Sequence, residues 1–150
     1  MNQKNYLIIG ASGGIGKAMV KQLIEMSANN KSSGKIFATY HVNQPNFAAD
    51  NLYWLPMDVS DEKSIEQAVT EIKQQTTHID WVINCVGLLH TPHNQPEKAL
   101  RQLETDFFLQ NMQINALASL LIAKHIKPLL AKSARNADKP AIFATISARV

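Results

Sequence analysis

Apolar positions in this chain alternate between short continuous runs and stripes of helical spacing. Tyr6 to Ile9 is a continuous run rich in strand formers and predicts a buried strand. Lys17 to Met26 carries Ala18, Met19, Val20, Leu23 and Ile24 on one helical face. Ala28 to Gly34, with two Asn, two Ser and a Gly, reads as a loop. Lys35 to Tyr40 predicts a second strand, and Leu52 to Met57 a third, with Pro56 near its end. Ser60-Asp61 is a capping signal for a helix to about Thr76, with Ile65, Ala68, Val69 and Ile72 inward. Ile79 to Val86 is the fourth and most apolar strand. Pro96 predicts the start of a short helix. Thr105 to Leu130 predicts a long helix whose face holds Phe108, Met112, Asn115, Ala116, Ser119, Leu120 and Ala123, with Pro128 set to shorten or kink its end. Ala141 to Ser147, after the break at Lys139-Pro140, is the fifth strand.

Strands alternating with helices predict an α/β fold: a doubly wound, Rossmann-like parallel sheet with helices on both faces. Residues 1–150 read as a single domain, without repeat, low-complexity tract or linker. No helix follows the fifth strand to complete its crossover, so the fold is expected to continue beyond residue 150, leaving that strand as an exposed edge.

Composition narrows the function classes. Hydrophobic content of 45% and charged content of 18% fit a globular domain. The net charge of +3 comes from scattered basic residues, not the stripe a nucleic acid requires, so no nucleic-acid partner is expected. The one cysteine, Cys85, allows no internal disulfide and suits a reducing compartment, so a cytoplasmic location is expected. The N-terminus shows no signal peptide, and no run reaches about 18 uncharged apolar residues, so no membrane span is expected.

Between the first strand and first helix stand Gly10, Gly14 and Gly16, with Ser12 and Ile15 in the same loop. A strand that breaks on glycines and restarts as a helix can present free N–H groups and a partial positive charge to a phosphate. The P-loop spacing fails twice, because Ala11 takes its first Gly position and Ala18 the place of its hydroxyl. Gly-x-Gly-x-x-Gly fails too, with Met19 where the third Gly belongs. Gly-x-x-x-Gly-x-Gly fits, and its context favours a dinucleotide loop over an ordinary turn. Asp58 reads either as a hydrogen-bond acceptor for a ligand or as a turn and capping residue before Ser60-Asp61. Asn84 to Gly87 lies at the carboxyl end of a central strand, where such sheets bind ligands, or is a strand-ending turn. His90 and His93 share a loop without an acid or cysteine, so no metal site is expected.

Four motifs give the chain its resemblance to the short-chain dehydrogenase/reductase family over nearly all its length: Gly10-x-x-x-Gly14-x-Gly16, Met57-Asp58-Val59-Ser60, Asn84-Cys85-Val86-Gly87, and Asn115 in the long helix. The ending Thr145 to Val150 is similar to the family's fifth-strand segment, in wording close to the C-signal-like and small carbonyl reductase branch. The resemblance implies hydride transfer between a nicotinamide and a carbonyl or alcohol, with Asn115 in the catalytic tetrad. It implies cofactor contacts from Gly10, Ser12, Gly14, Ile15, Gly16, Thr39, His41, Asp58, Val59, Asn84, Cys85, Val86 and Gly87. Ala38 to Asn43 holds no acid for the ribose hydroxyls, and Thr39 or His41 is available to a 2′-phosphate, so NADP(H) is favoured over NAD(H). The family's Tyr-x-x-x-Lys is missing: Tyr6, Tyr40 and Tyr53 are followed four residues on by Gly10, Gln44 and Met57. The position of its catalytic Ser holds Ala148, with Ser147 one residue early. The chain is therefore expected to hold the cofactor-binding part of such an enzyme and to be inactive alone. The second reading is a non-catalytic dinucleotide-binding or signalling module. The family's assemblies imply a homo-oligomer through the helix around residues 105–130.

Overall fold

The structure, a computed structural model, describes residues 4–29, 34–136 and 140–147. Its elements are β1 (Tyr6–Ile9), α1 (Gly14–Asn29), β2 (Ile36–Tyr40), β3 (Leu52–Pro56), α2 (Glu62–Gln75), β4 (Trp81–Asn84), a 3₁₀ turn (Leu100–Gln102), α3 (Thr105–Met112), a π turn (Gln113–Leu117), α4 (Ala118–Asn136) and β5 (Ile142–Thr145). The sheet is parallel in the order β3-β2-β1-β4-β5. It is the doubly wound α/β sheet expected, with β3 and β5 at its edges. Pro56 pairs with Tyr40 at the end of the β3 edge, where a missing N–H is tolerated.

The continuous apolar runs make sense because both faces of the sheet are covered. Leu7, Ile9, Phe37 and Val82 pack with Ile65, Val69 and Ile72 of α2 and Ile122, Ile126 and Leu129 of α4. Ile8, Ile36 and Ala38 point the other way, onto Val20 of α1. Fully burying each such aliphatic side chain contributes about 1.5–3 kcal/mol. Below β1 and β4, the Asp80 carboxylate accepts from the Asn5 backbone N–H at 2.7 Å and from the Ser133 hydroxyl, tying the strands to α4.

Several elements differ from the sequence expectation. The helix read from Lys17 begins at Gly14, within the glycine loop, and Ala18 is exposed. The fourth strand is Trp81–Asn84, shorter than Ile79 to Val86, because the Asn84 side chain accepts the Val86 N–H and turns the chain. No helix starts at Pro96; nearby, Thr91 Oγ1 accepts the N–H groups of His93 and Asn94, a local bonding that competes with helix. The helical run from Thr105 passes Pro128 and reaches Asn136. Its buried stripe is Phe107, Ala118, Ile122, Ile126 and Leu129, whereas Phe108, Met112, Ala116 and Leu120 are exposed. The sequence offers two apolar stripes; polar Asn111 lies on the inward one, its amide donating to the Phe107 carbonyl at 3.0 Å. By length and composition alone, Thr105–Ser133 is long and apolar enough to cross a membrane. Here it covers one face of the sheet.

Candidate functional site at the carboxyl edge of the sheet

The glycine loop joins β1 to α1 under tight steric limits. Gly10 has φ +74°, the only positive φ among the described residues. A Cβ there would stand 2.7 Å from Val86 Cγ2. A Cβ at Gly16 would collide with the Gly10 carbonyl and lie 2.9 Å from Ala11 Cα. Gly14 is the opposite case: a Cβ there meets nothing within 4 Å. The loop is therefore packed from behind and open in front. The first-turn N–H groups of α1, from Gly14, Ile15 and Gly16, have no carbonyl a turn earlier in the helix to receive them, and this turn carries no acid. That arrangement fits a pyrophosphate. Ser12 and Ile15 are exposed in the same loop, Ile15 to 56%.

Thr39 serves this loop from behind. It is buried; its Oγ1 accepts the Gly10 N–H at 3.1 Å and its carbonyl accepts the Ala11 N–H at 2.7 Å. The expectation that Thr39 faces a 2′-phosphate is corrected accordingly: burial and these bonds make it a brace. His41, two residues on, is exposed and lies with Nε2 3.5 Å from Asp58 Oδ2.

Asp58 sits between β3 and α2. Its Oδ1 accepts the Ser60 N–H at 2.9 Å and the Ser60 hydroxyl at 2.6 Å, while its own N–H donates to Ser64 Oγ at 2.9 Å. The Ser60 hydroxyl holds the Asp58 carboxyl below the usual range; partial burial opposes this, and His41 adds to the lowering. Oδ1 makes the turn, and Oδ2 is directed to His41. Val59 is buried in the core, which excludes its side chain from open contact.

The end of β4 is tied to the long helix. Asn84 is buried; its Nδ2 donates to Ser119 Oγ at 3.0 Å, and Ser119 Oγ lies 3.3 Å from Thr145 Oγ1 on β5. The Asn84 amide is therefore engaged within the protein, where it sets the course of the backbone after β4. Cys85 is partly buried, with Sγ 3.8 Å from Met19 Sδ, and burial pushes its thiol pKa up. Val86 packs behind Gly10, and Gly87 is exposed. The π turn carries Asn115 to the next residue of the loop. Asn115 Nδ2 donates to the Leu88 carbonyl at 2.6 Å, and its Oδ1 accepts the Leu88 N–H at 2.7 Å. Asn115 is exposed. Its hydrogen bonding is nonetheless complete in the way a buried amide requires.

The glycine loop, Asp58, His41 and the Asn84–Gly87 segment all follow the carboxyl ends of β1 to β4. Ser147 is exposed beyond β5, with no bond placing it against Asn115, and Ala148 lies outside the described residues. Tyr6 is no ready acid: burial and the Asp80 charge push its phenol pKa up. Sequence reasoning missed Ser60, Ser64 and Ser119 as partners; the Asp58-x-Ser60 spacing was the one available signal, an Asx-type turn. A cavity of about 470 Å³ lies along β3, lined by Tyr53, Trp54, Glu71 and Gln74, and none of the expected site residues borders it.

A protein-family model described as short chain dehydrogenase matches residues 4–139. Mouse L-fucose dehydrogenase is 28% identical over 133 residues, covering 89% of this chain and 46% of that protein. The yeast (Saccharomyces cerevisiae) benzil reductase is 29% identical over 136 residues, covering 87% of this chain and 50% of that protein. The chain thus spans about half the length of these curated relatives. Among solved structures, NADPH-bound carbonyl reductase from chicken fatty liver superposes with a TM-score of 0.75 at 22% identity, over 91% of this chain and 51% of that one. NADH-dependent reductase A1-R′ complexed with NAD gives a TM-score of 0.76 at 21% identity, over 96% and 59%.

Proposed function

The chain belongs to the short-chain dehydrogenase/reductase family, and from that premise we propose that it is the cofactor-binding part of an oxidoreductase that transfers hydride between a nicotinamide dinucleotide and a small-molecule carbonyl or alcohol. The observation carrying this reading is the contrast within the glycine loop: Gly10 and Gly16 have no room behind them, while Gly14 opens on unfilled space before the α1 N-terminus. Gly14, Ile15 and Gly16 would hold the pyrophosphate by their N–H groups, with Ser12 beside them. Asp58 would accept from the adenine amino group, and His41 would reach the ribose. Gly87, exposed after β4, leaves room for the nicotinamide half.

When bound, the dinucleotide supplies or accepts the hydride. This chain's residues bind and orient. Asn115 holds Leu88 and with it the course of the loop after Gly87, while Asn84 and Ser119 fix the end of β4. The proton that accompanies hydride transfer needs an acid/base group, and no Tyr-x-x-x-Lys occurs within residues 1–150. NADP(H) is favoured by the absence of any acid from Ala38 to Ala49, and reduction of a carbonyl is the direction we favour. A cytoplasmic homo-oligomer completes the reading, its contact surface the exposed Phe108, Leu109, Met112 and Leu120.

NADPH oxidation in the presence of a panel of aldehydes and ketones tests the division of labour. Residues 1–150 alone should show no carbonyl-dependent turnover, whereas the parent protein should. Turnover by residues 1–150 would overturn it; an inactive parent that still binds dinucleotide would favour the non-catalytic module.

A further inference from the structure

Resting on that cofactor reading, we propose that the pair His41–Asp58 makes the choice between a 2′-phosphorylated and an unphosphorylated dinucleotide depend on pH, with the 2′-phosphate favoured as the solution becomes more acidic. His41 directly follows β2, where the residue that reads the ribose 2′ position belongs in such sheets. Its side chain is 67% exposed, and its Nε2 is 3.5 Å from Asp58 Oδ2. Asp58 is fixed from its other oxygen by the two bonds from Ser60, so its charge does not swing away.

Few other charges act here. On its own segment, residues 40–49 hold only Tyr40 besides His41 as titratable groups. From the β3–α2 turn the facing group is Asp58, while Asp61 is occupied in capping α2 by accepting the Lys63 N–H at 3.0 Å. From α1, on β2's other flank, the cations are Lys17 and Lys21, and the Lys21 ammonium rests 5.7 Å over the Phe47 ring. The two groups in contact at this place are His41 and Asp58. With His41 neutral the pair carries −1 from Asp58 and opposes a phosphate; with His41 protonated the pair is neutral and offers an N–H to the phosphate. The 2′-phosphate has its own second ionisation near pH 6, so the effect is read above that value.

The test measures dissociation constants of NADPH and NADH for the purified protein at about pH 6.5 and about pH 8.5. The NADPH:NADH affinity ratio should rise roughly fivefold on acidification, as expected for one unit charge removed at contact distance. In His41→Asn the ratio should be low and flat, and in His41→Arg high and flat. An NMR titration of the His41 ring in the unaltered protein gives a second readout that needs no substitution. Its midpoint should move up with NADPH, as a neighbouring anion favours the charged ring, and stay in place with NADH. A ratio that does not change with pH, or a ring midpoint blind to NADPH, overturns the proposal while leaving the cofactor site intact. Binding of neither dinucleotide at either pH overturns the cofactor reading and this inference with it.

Discussion

The side-chain amide of Asn115 pairs with both backbone groups of Leu88, donating from Nδ2 at 2.6 Å and accepting at Oδ1 at 2.7 Å. One helical side chain thereby replaces a strand partner for the loop after β4. The π turn is what puts it there, a local irregularity of the kind often found at functional sites.

Asn115→Ala removes both bonds, and Asn115→Asp keeps the acceptor but sets a carboxylate against the Leu88 carbonyl. Each should cost about 1–2 kcal/mol at this solvent-accessible position. The Leu88 amide should exchange with deuterium faster in both variants, with a lower melting temperature. Unchanged exchange at Leu88 would contradict the clamp.

Two glycines of the loop should respond in opposite ways. Gly16→Ala drives a methyl group into the Gly10 carbonyl and should destabilise by about 1–3 kcal/mol, as overpacking does. Gly14→Ala meets nothing and starts a helix, so thermal stability should hold or rise slightly. Its methyl group, however, enters the space assigned to the pyrophosphate and should weaken dinucleotide binding at least tenfold. Melting curves and calorimetric titration of the two variants separate the roles.

At the other end of the sheet, Asp80→Ala leaves the Asn5 N–H and the largely buried Ser133 hydroxyl without their shared acceptor. A loss of about 1–3 kcal/mol is expected in denaturant unfolding. Dinucleotide affinity should stay unchanged among the molecules that remain folded, because this cluster lies under the amino ends of β1 and β4.

Acid should weaken the fold partly through Asp58. Its folded-state pKa is lowered, chiefly by the Ser60 hydroxyl, so its contribution is present above the unfolded value and is lost as pH falls through the folded one, below about pH 4. Ser60→Ala should move the Asp58 pKa back towards the ordinary carboxylate range, seen by NMR of its side-chain carboxyl. An unmoved Asp58 titration would show that another group holds it.

Most of the fold was legible in the sequence, because strands buried on both faces leave continuous apolar runs such as Tyr6 to Ile9 and because α2 announces itself through Asp61 and its inward Ile65, Val69 and Ile72. The long helix was legible in extent but not in orientation. Its two apolar stripes differ little in hydrophobicity, and the polar Asn111 made the truly inward one look worse. At the site, Gly10, Gly14 and Gly16 were readable from spacing, yet their division into crowded and open positions depends on Val86 and on the Gly10 carbonyl, brought there by the fold. Thr39 could not be told from a ligand contact by sequence, since a hydroxyl at a strand end serves either purpose until its burial is known. The Ser119 link between Asn84 and Thr145 joins three elements distant in sequence and leaves no local pattern.

Titration of this chain with NADPH and with NADH, by fluorescence or calorimetry, tests the account most directly. Micromolar binding with NADPH preferred, abolished or strongly weakened by Gly14→Ala, is the predicted result. Binding of neither dinucleotide by the folded chain and by its parent protein would contradict it, and would reduce the glycine loop to a strand–helix turn.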